Sequence, residues 1–180
     1  MAGIVIGEVR LSYSHLTEVD KNGKYSVTCL LPKTNEEAIA ALQQAIEEAK
    51  DLGQTKKWNG KMPAKIHVGI HDGDGNKENG EPYGEECKGC YVFTVSSKDK
   101  PQVVDMSKKL ITDDSEIYSG MYAKVYVNAA PYVYNGKSGV GLYLGPVQKT
   151  RDGEPFGGST PSAASVFGMP DEPDAASVFG

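Results

Sequence analysis

The sequence has few cysteines, no long apolar run and no basic residue in its last part. Three cysteines in 180 residues are too few for a disulfide framework, and no apolar stretch approaches the roughly 20 residues that span a bilayer. Residues 1–7 carry no basic side chain ahead of their apolar stretch, so a signal peptide is not expected. These absences predict a cytoplasmic protein with no membrane partner.

The formal net charge of −5 is unevenly distributed along the chain. Residues 1–151 contain all 19 lysines and arginines together with 19 acids, whereas residues 152–180 contain five acids and no base. Within the first part, residues 72–86 hold six acids and one lysine, so the remainder of that part is basic. The total charge alone disfavours a nucleic-acid partner, but this segregation is compatible with one.

The apolar pattern predicts a mainly β protein. Alternating or β-branched runs indicate six or so strands separated by turn signals. Lys21-Asn22-Gly23 and Asn135-Gly136 are typical of hairpins, because Asn and Gly accept the positive φ angles of tight turns. About six strands with one helix predict a small barrel or sandwich.

One amphipathic helix is expected over residues 36–52. Asn35 is a good N-cap, apolar side chains recur at helical spacing, and Gly53 is typical of the position just beyond a helix. Residues 53–64 and 71–89 are predicted to be long loops, which in a compact domain are usually functional or mobile.

From residue 152 onward the sequence loses its periodicity. Gly, Pro, Ser, Ala and acids predominate, so we expect a folded domain over 1–151 and a disordered acidic tail over 152–180. The tail contains the hexapeptide Ala-Ala-Ser-Val-Phe-Gly twice, at 163–168 and 175–180. Since a disordered segment has no core for aromatic residues to fill, we interpret the repeat as an interaction motif. The tail residues expected to act are Phe167, Asp171, Glu172, Asp174 and Phe179.

The strongest binding signal lies in residues 117–151, which hold six of the ten tyrosines, four bases and no acid. Tyr122, Lys124 and Tyr126 alternate along one predicted strand and therefore share a face. Such a face suits single-stranded nucleic acid, because bases stack on the rings and ammonium groups meet phosphates. A half-exposed strand whose rings pack against one another across a sheet fits the pattern equally well.

A second basic and aromatic signal lies at residues 56–65, where four lysines and the only tryptophan occur without an acid. Together with the tyrosine face, it predicts an electrostatic groove lined by aromatic rings. The alternative is that Trp58 caps one end of the barrel. The residues expected to line the groove are Lys56, Lys57, Trp58, Lys61, Lys65, Tyr118, Tyr122, Lys124, Tyr126, Tyr132, Tyr134, Lys137 and Tyr143.

The signal for a metal site is weak. His67, His71, Cys87 and Cys90 are residue types that bind zinc, but their spacing matches no standard finger. Two histidines four residues apart on a strand are also separated by about 13 Å, too far for one ion. We therefore expect free cysteines and no metal.

Catalytic patterns are weaker still. Asp72-Gly-Asp74 opens like a calcium loop, but Lys77 and Tyr83 stand where that loop needs glycine and glutamate. The two carboxylates would suit a metal-dependent nuclease, although nothing else in the sequence supports one. No serine-hydrolase, phosphate-loop, zinc-protease or dinucleotide pattern is present. The expectation is a protein that is not an enzyme and needs no cofactor.

Five short segments occur in an order and spacing that together carry a family resemblance. They are residues 23–33 (GKYSVTCLLPK), 72–74 (DGD), 104–105 (VD), 117–120 (IYSG) and 152–158 (DGEPFGG). Residues 4–158 resemble a family of bacteriophage single-stranded-DNA-binding proteins. The resemblance implies a single OB-fold-like barrel of five to six strands, with one helix and long loops. It also implies binding of single-stranded DNA without strong sequence preference or catalysis.

The resemblance implies a role in phage DNA replication, recombination or repair, which would place the protein in the host-cell cytoplasm. We expect the acidic tail to compete with DNA for the groove and, when displaced, to recruit replication or recombination proteins. A tail that reaches its own groove also reaches a neighbour's, which would give a homodimer. The alternative is a structural or protein-interaction β domain whose tyrosine face binds a protein partner.

Overall fold

In the computed structural model, which describes residues 3–77 and 79–156, five long strands close into a barrel. In chain order the strands are β1 (Gly3–His15), β2 (Tyr25–Pro32), β3 (His67–Val68), β4 (Ile70–Asp72), β5 (Cys90–Ser97), β6 (Val103–Val104), β7 (Tyr122–Tyr134) and β8 (Lys137–Arg151). Strands β8, β7, β1, β2 and β5 pair in that order, and β5 pairs again with β8 to close the barrel. The predicted mainly β barrel is confirmed.

Both predicted hairpins are present. Strands β1 and β2 pair antiparallel, and Gly23 in their connection has a φ of 75°. Strands β7 and β8 are joined by Asn135 and Gly136, whose φ values of 50° and 75° suit a tight turn. Strand β7 continues through the buried Pro131, which pairs with Val140, so the sequence pattern on either side belongs to one strand of 13 residues.

The single helix, α1 (Glu36–Lys56), begins as predicted and ends later. The Asn35 side chain accepts a hydrogen bond from the amide of Ala38, which confirms the N-cap. Gly53 lies inside the helix instead of ending it. A β-carbon there would come within 2.7 Å of both Pro131 and the ring of Trp58, so glycine permits close packing at this position.

The barrel core is filled by alternate residues of the strands and by the buried face of α1. On β7, Ala123, Val125 and Val127 point inward and are buried, whereas Lys124 and Tyr126 point outward and are exposed. The prediction that the alternate tyrosine and lysine residues share one face is therefore confirmed. Within the described parts of the chain, no helix combines the length and apolar character needed to cross a membrane.

Residues 157–180 lie outside the described residues. Most of the predicted tail, including both copies of its hexapeptide, falls in this range. So do the tail residues named above, Phe167, Asp171, Glu172, Asp174 and Phe179.

Candidate nucleic-acid interface

A long depression crosses the outer surface where β5, β8 and the end of β7 meet. Its centre is a cavity of about 490 Å³, and an adjoining cavity of about 390 Å³ shares Tyr143 with it. The two form what we call the tyrosine trough. Its principal side chains are Lys24, Leu52, Lys56, Lys57, His67, Thr94, Ser96, Tyr132, Tyr134 and Tyr143.

Two tyrosine rings of the trough lie over glycines. A β-carbon at Gly139 would come within 2.5 Å of the Tyr132 ring, and one at Gly141 within 2.9 Å of the Tyr143 ring. Because glycine has no side chain, each ring can pack directly against the strand backbone. Tyr143 is nevertheless 42 % exposed, so its ring offers an accessible surface to a flat partner.

Tyr126 repeats this arrangement further along the outer face of β7. A side chain at Gly3 of β1 would collide with its ring, which is 37 % exposed. The ring borders a second, largely apolar groove of about 360 Å³ whose lining includes Lys108 and Lys124. The structure thus divides the predicted groove residues on β7 between two neighbouring depressions.

Trp58 does not line the trough. Its side chain is only 6 % exposed and packs against Gly53, and its indole N–H donates to the carbonyl of Tyr132 at 3.3 Å. The expectation that this ring faces a bound strand is corrected, and the structure agrees with the alternative in which Trp58 closes one end of the barrel. The neighbouring Lys61 and Lys65 are exposed, as is Lys137 at the start of β8.

Tyr118 and Tyr122 are also withdrawn from the trough. The Tyr118 hydroxyl donates to Asp152 at 2.8 Å, and the guanidinium of Arg151 lies 3.6 Å from the centre of the Tyr122 ring. The amide of Gly153 donates to the Tyr118 hydroxyl at 3.1 Å. Residues 151–153 therefore contact both side chains. The expectation that Tyr118 and Tyr122 are accessible rings of the groove is corrected.

Residues 152–156, which we call the docked segment, cross the outer face of the barrel. Arg10 donates to the carbonyl of Glu154 at 2.6 Å, and the amide of Phe156 donates to the carbonyl of Ser119 at 3.0 Å. The Arg10 guanidinium lies 4.2 Å from the centre of the Phe156 ring. The first five residues of the predicted tail therefore lie in contact with the barrel.

An ion pair anchors the start of the docked segment. The ammonium of Lys149, which is buried, lies 2.6 Å from Asp152 and 2.8 Å from Glu116. The hydrogen bond from Lys149, with that from Tyr118, lowers the pKa of Asp152. The contribution of this pair is fully present above the ordinary pKa of aspartate and is lost as the pH falls through the lowered one.

Comparison with known proteins decides the family. The model of the Enterobacter phage Enc34 ssDNA-binding protein family matches residues 2–177. The chain belongs to this family. The family resemblance predicted from the sequence is therefore confirmed. No curated protein sequence matches the chain significantly.

Solved structures share the fold of this family member. The single-stranded DNA-binding protein from bacteriophage Enc34 superposes with a TM-score of 0.71 at 24 % identity, covering 92 % of this chain and 89 % of that one. The same phage protein in complex with ssDNA gives 0.65 at 27 % identity, with 86 % and 89 % covered. The gp2.5 single-stranded DNA-binding protein encoded by bacteriophage T7 gives 0.61 at 17 % identity, with 91 % and 93 % covered. These likenesses confirm the predicted OB-fold-like barrel.

In this family member the predicted acidic loop is held by a lysine. The Lys33 ammonium lies 2.7 Å from Asp72 and 2.8 Å from Asp74. Its hydrogen bonds lower the pKa of both carboxylates, and they raise the pKa of Lys33 itself. Because one lysine occupies both carboxylates, they do not form an open pair for a metal.

Of the four weak zinc candidates, the two cysteines share one cluster and the two histidines lie on β3 and β4. Cys87 is buried in a small cluster with Leu30 and Val92, and Cys90 packs against that cluster. His67 faces the tyrosine trough, whereas His71 lies on β4 near the Tyr83 ring. Over residues 3–77 and 79–156, no three His, Cys, Asp or Glu side chains are placed to hold a metal ion.

Lys24, His67 and Thr94 line the trough, but the sequence did not identify them as part of it. Lys24 follows the first hairpin turn, Thr94 lies on the outer face of β5, and His67 begins β3. Their meeting depends on β5 pairing with β8, where Ser96 lies opposite Tyr143. A single alternating pattern within one strand carries no information on such a pairing.

Proposed function

We propose that this chain binds single-stranded DNA along the tyrosine trough, without sequence preference and without catalysis. The observation that carries the proposal is the pair of glycine-backed rings, Tyr132 and Tyr143, of which Tyr143 lies beside Lys56 and Lys57. Membership of a family described as ssDNA-binding supports it, and so does the likeness to a relative whose structure contains ssDNA.

The chemistry of the trough suits an unpaired strand. A ring lying on glycine offers its other face to a base, and base–aromatic stacking contributes about 1–3 kcal/mol per base. Every base has such a π-face, so stacking is tolerant of sequence. Lysine ammonium groups meet the phosphates and release counterions, which adds affinity that depends on salt but not on sequence.

The proposed contacts extend beyond the centre of the trough. Tyr126 and Lys124 offer a second ring and ammonium on the same outer face of β7. Lys61, Lys65 and Lys137 are exposed lysines that add positive charge for a passing backbone. In this proposal they act through long-range attraction, which salt screens over about 10 Å at 0.1 M.

A binding titration with labelled oligo-dT and with duplex DNA tests the function. We expect preference for oligo-dT, and a log–log decline of affinity with salt of about −0.7 for each phosphate contacted. A slope near zero, or equal affinity for duplex, would contradict the proposal. Such a result would favour the alternative of a β domain that binds a protein partner.

We further propose that the acidic tail competes with DNA for the trough. The position of the docked segment supports this proposal, because Phe156 packs against the cluster that contains Leu30, on the outer face of β2. Two residues along that strand, on the same face, Thr28 shares a 3.0 Å hydrogen bond with Thr94 of the trough. The end of the docked segment therefore lies near Leu30, two residues along β2 from the Thr28–Thr94 pair at the border of the trough.

Displacement of the tail by DNA would expose its two Val-Phe-Gly motifs. In this proposal they then bind replication or recombination proteins, in keeping with the phage processes that the family resemblance implies. Since the tail begins beside the trough, it can also reach the trough of a second copy, which would produce a homodimer held by exchanged tails.

Truncation after Gly158 tests the competition. We expect the shortened chain to bind oligo-dT several-fold more tightly than the full chain at low salt, and equally tightly at high salt, where screening removes the competition. The matched control keeps the full length but replaces Asp171, Glu172 and Asp174 with their amides, and should reproduce the gain. Unchanged affinity of both variants at low salt would refute the idea.

A further inference from the structure

The end of β1 carries an exposed tyrosine in a backbone conformation that tyrosine seldom adopts. Tyr13 has a φ of 47° and is 72 % exposed. Glycine and asparagine tolerate this left-handed region, but a bulky side chain is an outlier there. The β1–β2 register shifts between Ser12 and His15, so Tyr13 lies in a bulge. Bulges of this kind re-aim a side chain relative to the sheet.

The surrounding chain holds this bulge in place. The amide of Ser14 donates to the Ser119 hydroxyl at 2.9 Å, and the amide of Gly120 donates to the carbonyl of Leu11 at 2.7 Å. Residues in sparsely populated conformations persist where neighbouring structure fixes them, and they cluster at ligand-binding sites. Tyr13 is thus an aromatic side chain presented to solvent from a fixed backbone.

The surface beside Tyr13 adjoins the tyrosine trough. A cavity of about 280 Å³ is lined by Tyr13, His15, Lys21 and Thr28, and it shares Thr94 with the trough. We call it the bulge cavity.

A row of paired residues joins the two cavities across the sheet. Tyr143 lies opposite Ser96, Ser96 opposite Ser26, and Ser26 opposite His15. Three steps between strands amount to about 14 Å. A single strand that leaves the Tyr143 ring therefore reaches the bulge cavity over a floor of small hydroxyl side chains.

The carboxylate that lines the bulge cavity, Asp20, is already hydrogen-bonded within the protein. Asp20 accepts hydrogen bonds from the Ser26 hydroxyl at 2.8 Å and from the amides of Asn22 and Lys24 at 2.8 and 3.1 Å. These hydrogen bonds lower the pKa of Asp20, that from Ser26 contributing most. The carboxylate thereby orders the loop that carries Lys21 and Lys24.

We propose that Tyr13 is a further stacking site for a base of the bound strand, with Lys21 beside the adjacent phosphate. This inference rests on the proposed function and extends it, because it gives the strand a direction across β5, β2 and β1 from the trough. A base on Tyr13 belongs to the same strand as the base on Tyr143, so only an oligonucleotide long enough to span both cavities reaches it.

Two variants of Tyr13 and two lengths of oligo-dT test the proposal. The short one is a dinucleotide, which cannot span the roughly 14 Å between the cavities, and the long one has about 16 nucleotides, the upper end of the range of OB-fold site sizes. Tyr13→Gly removes the ring and suits the positive φ, so its thermal midpoint should equal or exceed that of the natural chain. We expect Tyr13→Gly to bind the long oligonucleotide about 10-fold more weakly, the loss of one stacked base. Its affinity for the short one should be that of the natural chain, and Tyr13→Phe should restore long-oligonucleotide binding.

Two results would overturn the Tyr13 site. One is equal binding of the long oligonucleotide by Tyr13→Gly and the natural chain, and the other is equal weakening at both lengths. Failure of the natural chain to bind either oligonucleotide is a separate outcome, because it removes the proposed function itself.

Discussion

Replacing Tyr143 with alanine is expected to weaken binding of oligo-dT by about 10- to 100-fold, the effect of losing one well-stacked base. Tyr143 is the side chain shared by both cavities of the tyrosine trough, so its ring lies where they join. Its partial exposure means that the substitution should alter the free energy of unfolding by no more than about 1 kcal/mol. Fluorescence anisotropy gives the affinity, and urea denaturation gives the stability.

Two further variants isolate the geometry of this ring. Gly141→Ala keeps the tyrosine but places a β-carbon within 2.9 Å of its ring, which must move off the backbone, so we expect a smaller loss in the same direction. Tyr83→Ala removes a ring near His71, outside the trough, and is the matched control. Equal losses in Tyr143→Ala and Tyr83→Ala, or none in Tyr143→Ala, would show that DNA does not use the trough.

Trp58→Ala is expected to lower the free energy of unfolding by about 3 kcal/mol, because truncation of a buried tryptophan leaves a cavity. The side chain is 6 % exposed and packs against the glycine inside α1. Trp58→Phe keeps most of the packing but loses the hydrogen bond to the Tyr132 carbonyl, and should cost about 1 kcal/mol. Chemical denaturation measures both values.

The same two variants distinguish a core role of Trp58 from a binding role. In a core role, oligo-dT affinity under native conditions changes little in Trp58→Phe, while stability falls in both variants. Full stability with a loss of affinity would instead restore the original expectation that this ring stacks on DNA.

The local sequence pattern was sufficient to predict the barrel strands and one face of the candidate site. Alternation predicted which side chains of β7 point outward, because a strand has a period of two whatever it packs against. The cap of α1 and both hairpin turns were predictable for the same reason, since each depends on residues close together in sequence. Gly53 shows the limit, because its contact with Pro131 brings together residues far apart in sequence.

The composition of the trough depends on contacts between distant residues. The sequence alone predicts Tyr118 and Tyr122 to be accessible rings, but in the structure the docked segment contacts them. Arg10, more than 100 residues away in sequence, holds that segment in place. Likewise, Lys33, which directly follows β2, forms ion pairs with Asp72 and Asp74, so the start of the predicted loop over residues 71–89 is tied to the barrel. Composition indicated the character of these segments but not what they contact.

The glycines of β8 are a signal that the sequence did offer. Gly139 and Gly141 alternate with inward-pointing residues and therefore lie on the outer face, beside the outward tyrosines of β7. Glycine within a strand often marks the close approach of another group. This pattern identifies two rings that lie against the sheet, Tyr132 of β7 and Tyr143 of β8 itself.

Photocrosslinking to iodouridine-substituted oligo-dT, followed by mass spectrometry of the crosslinked peptides, shows which face of the barrel the bound strand crosses. If the strand lies in the tyrosine trough, we expect crosslinks to Tyr132, Tyr134 or Tyr143 that fall as salt is raised. Crosslinks confined to Tyr118 and Tyr122, beneath the docked segment, would contradict it and place the bound strand on a different face of the barrel.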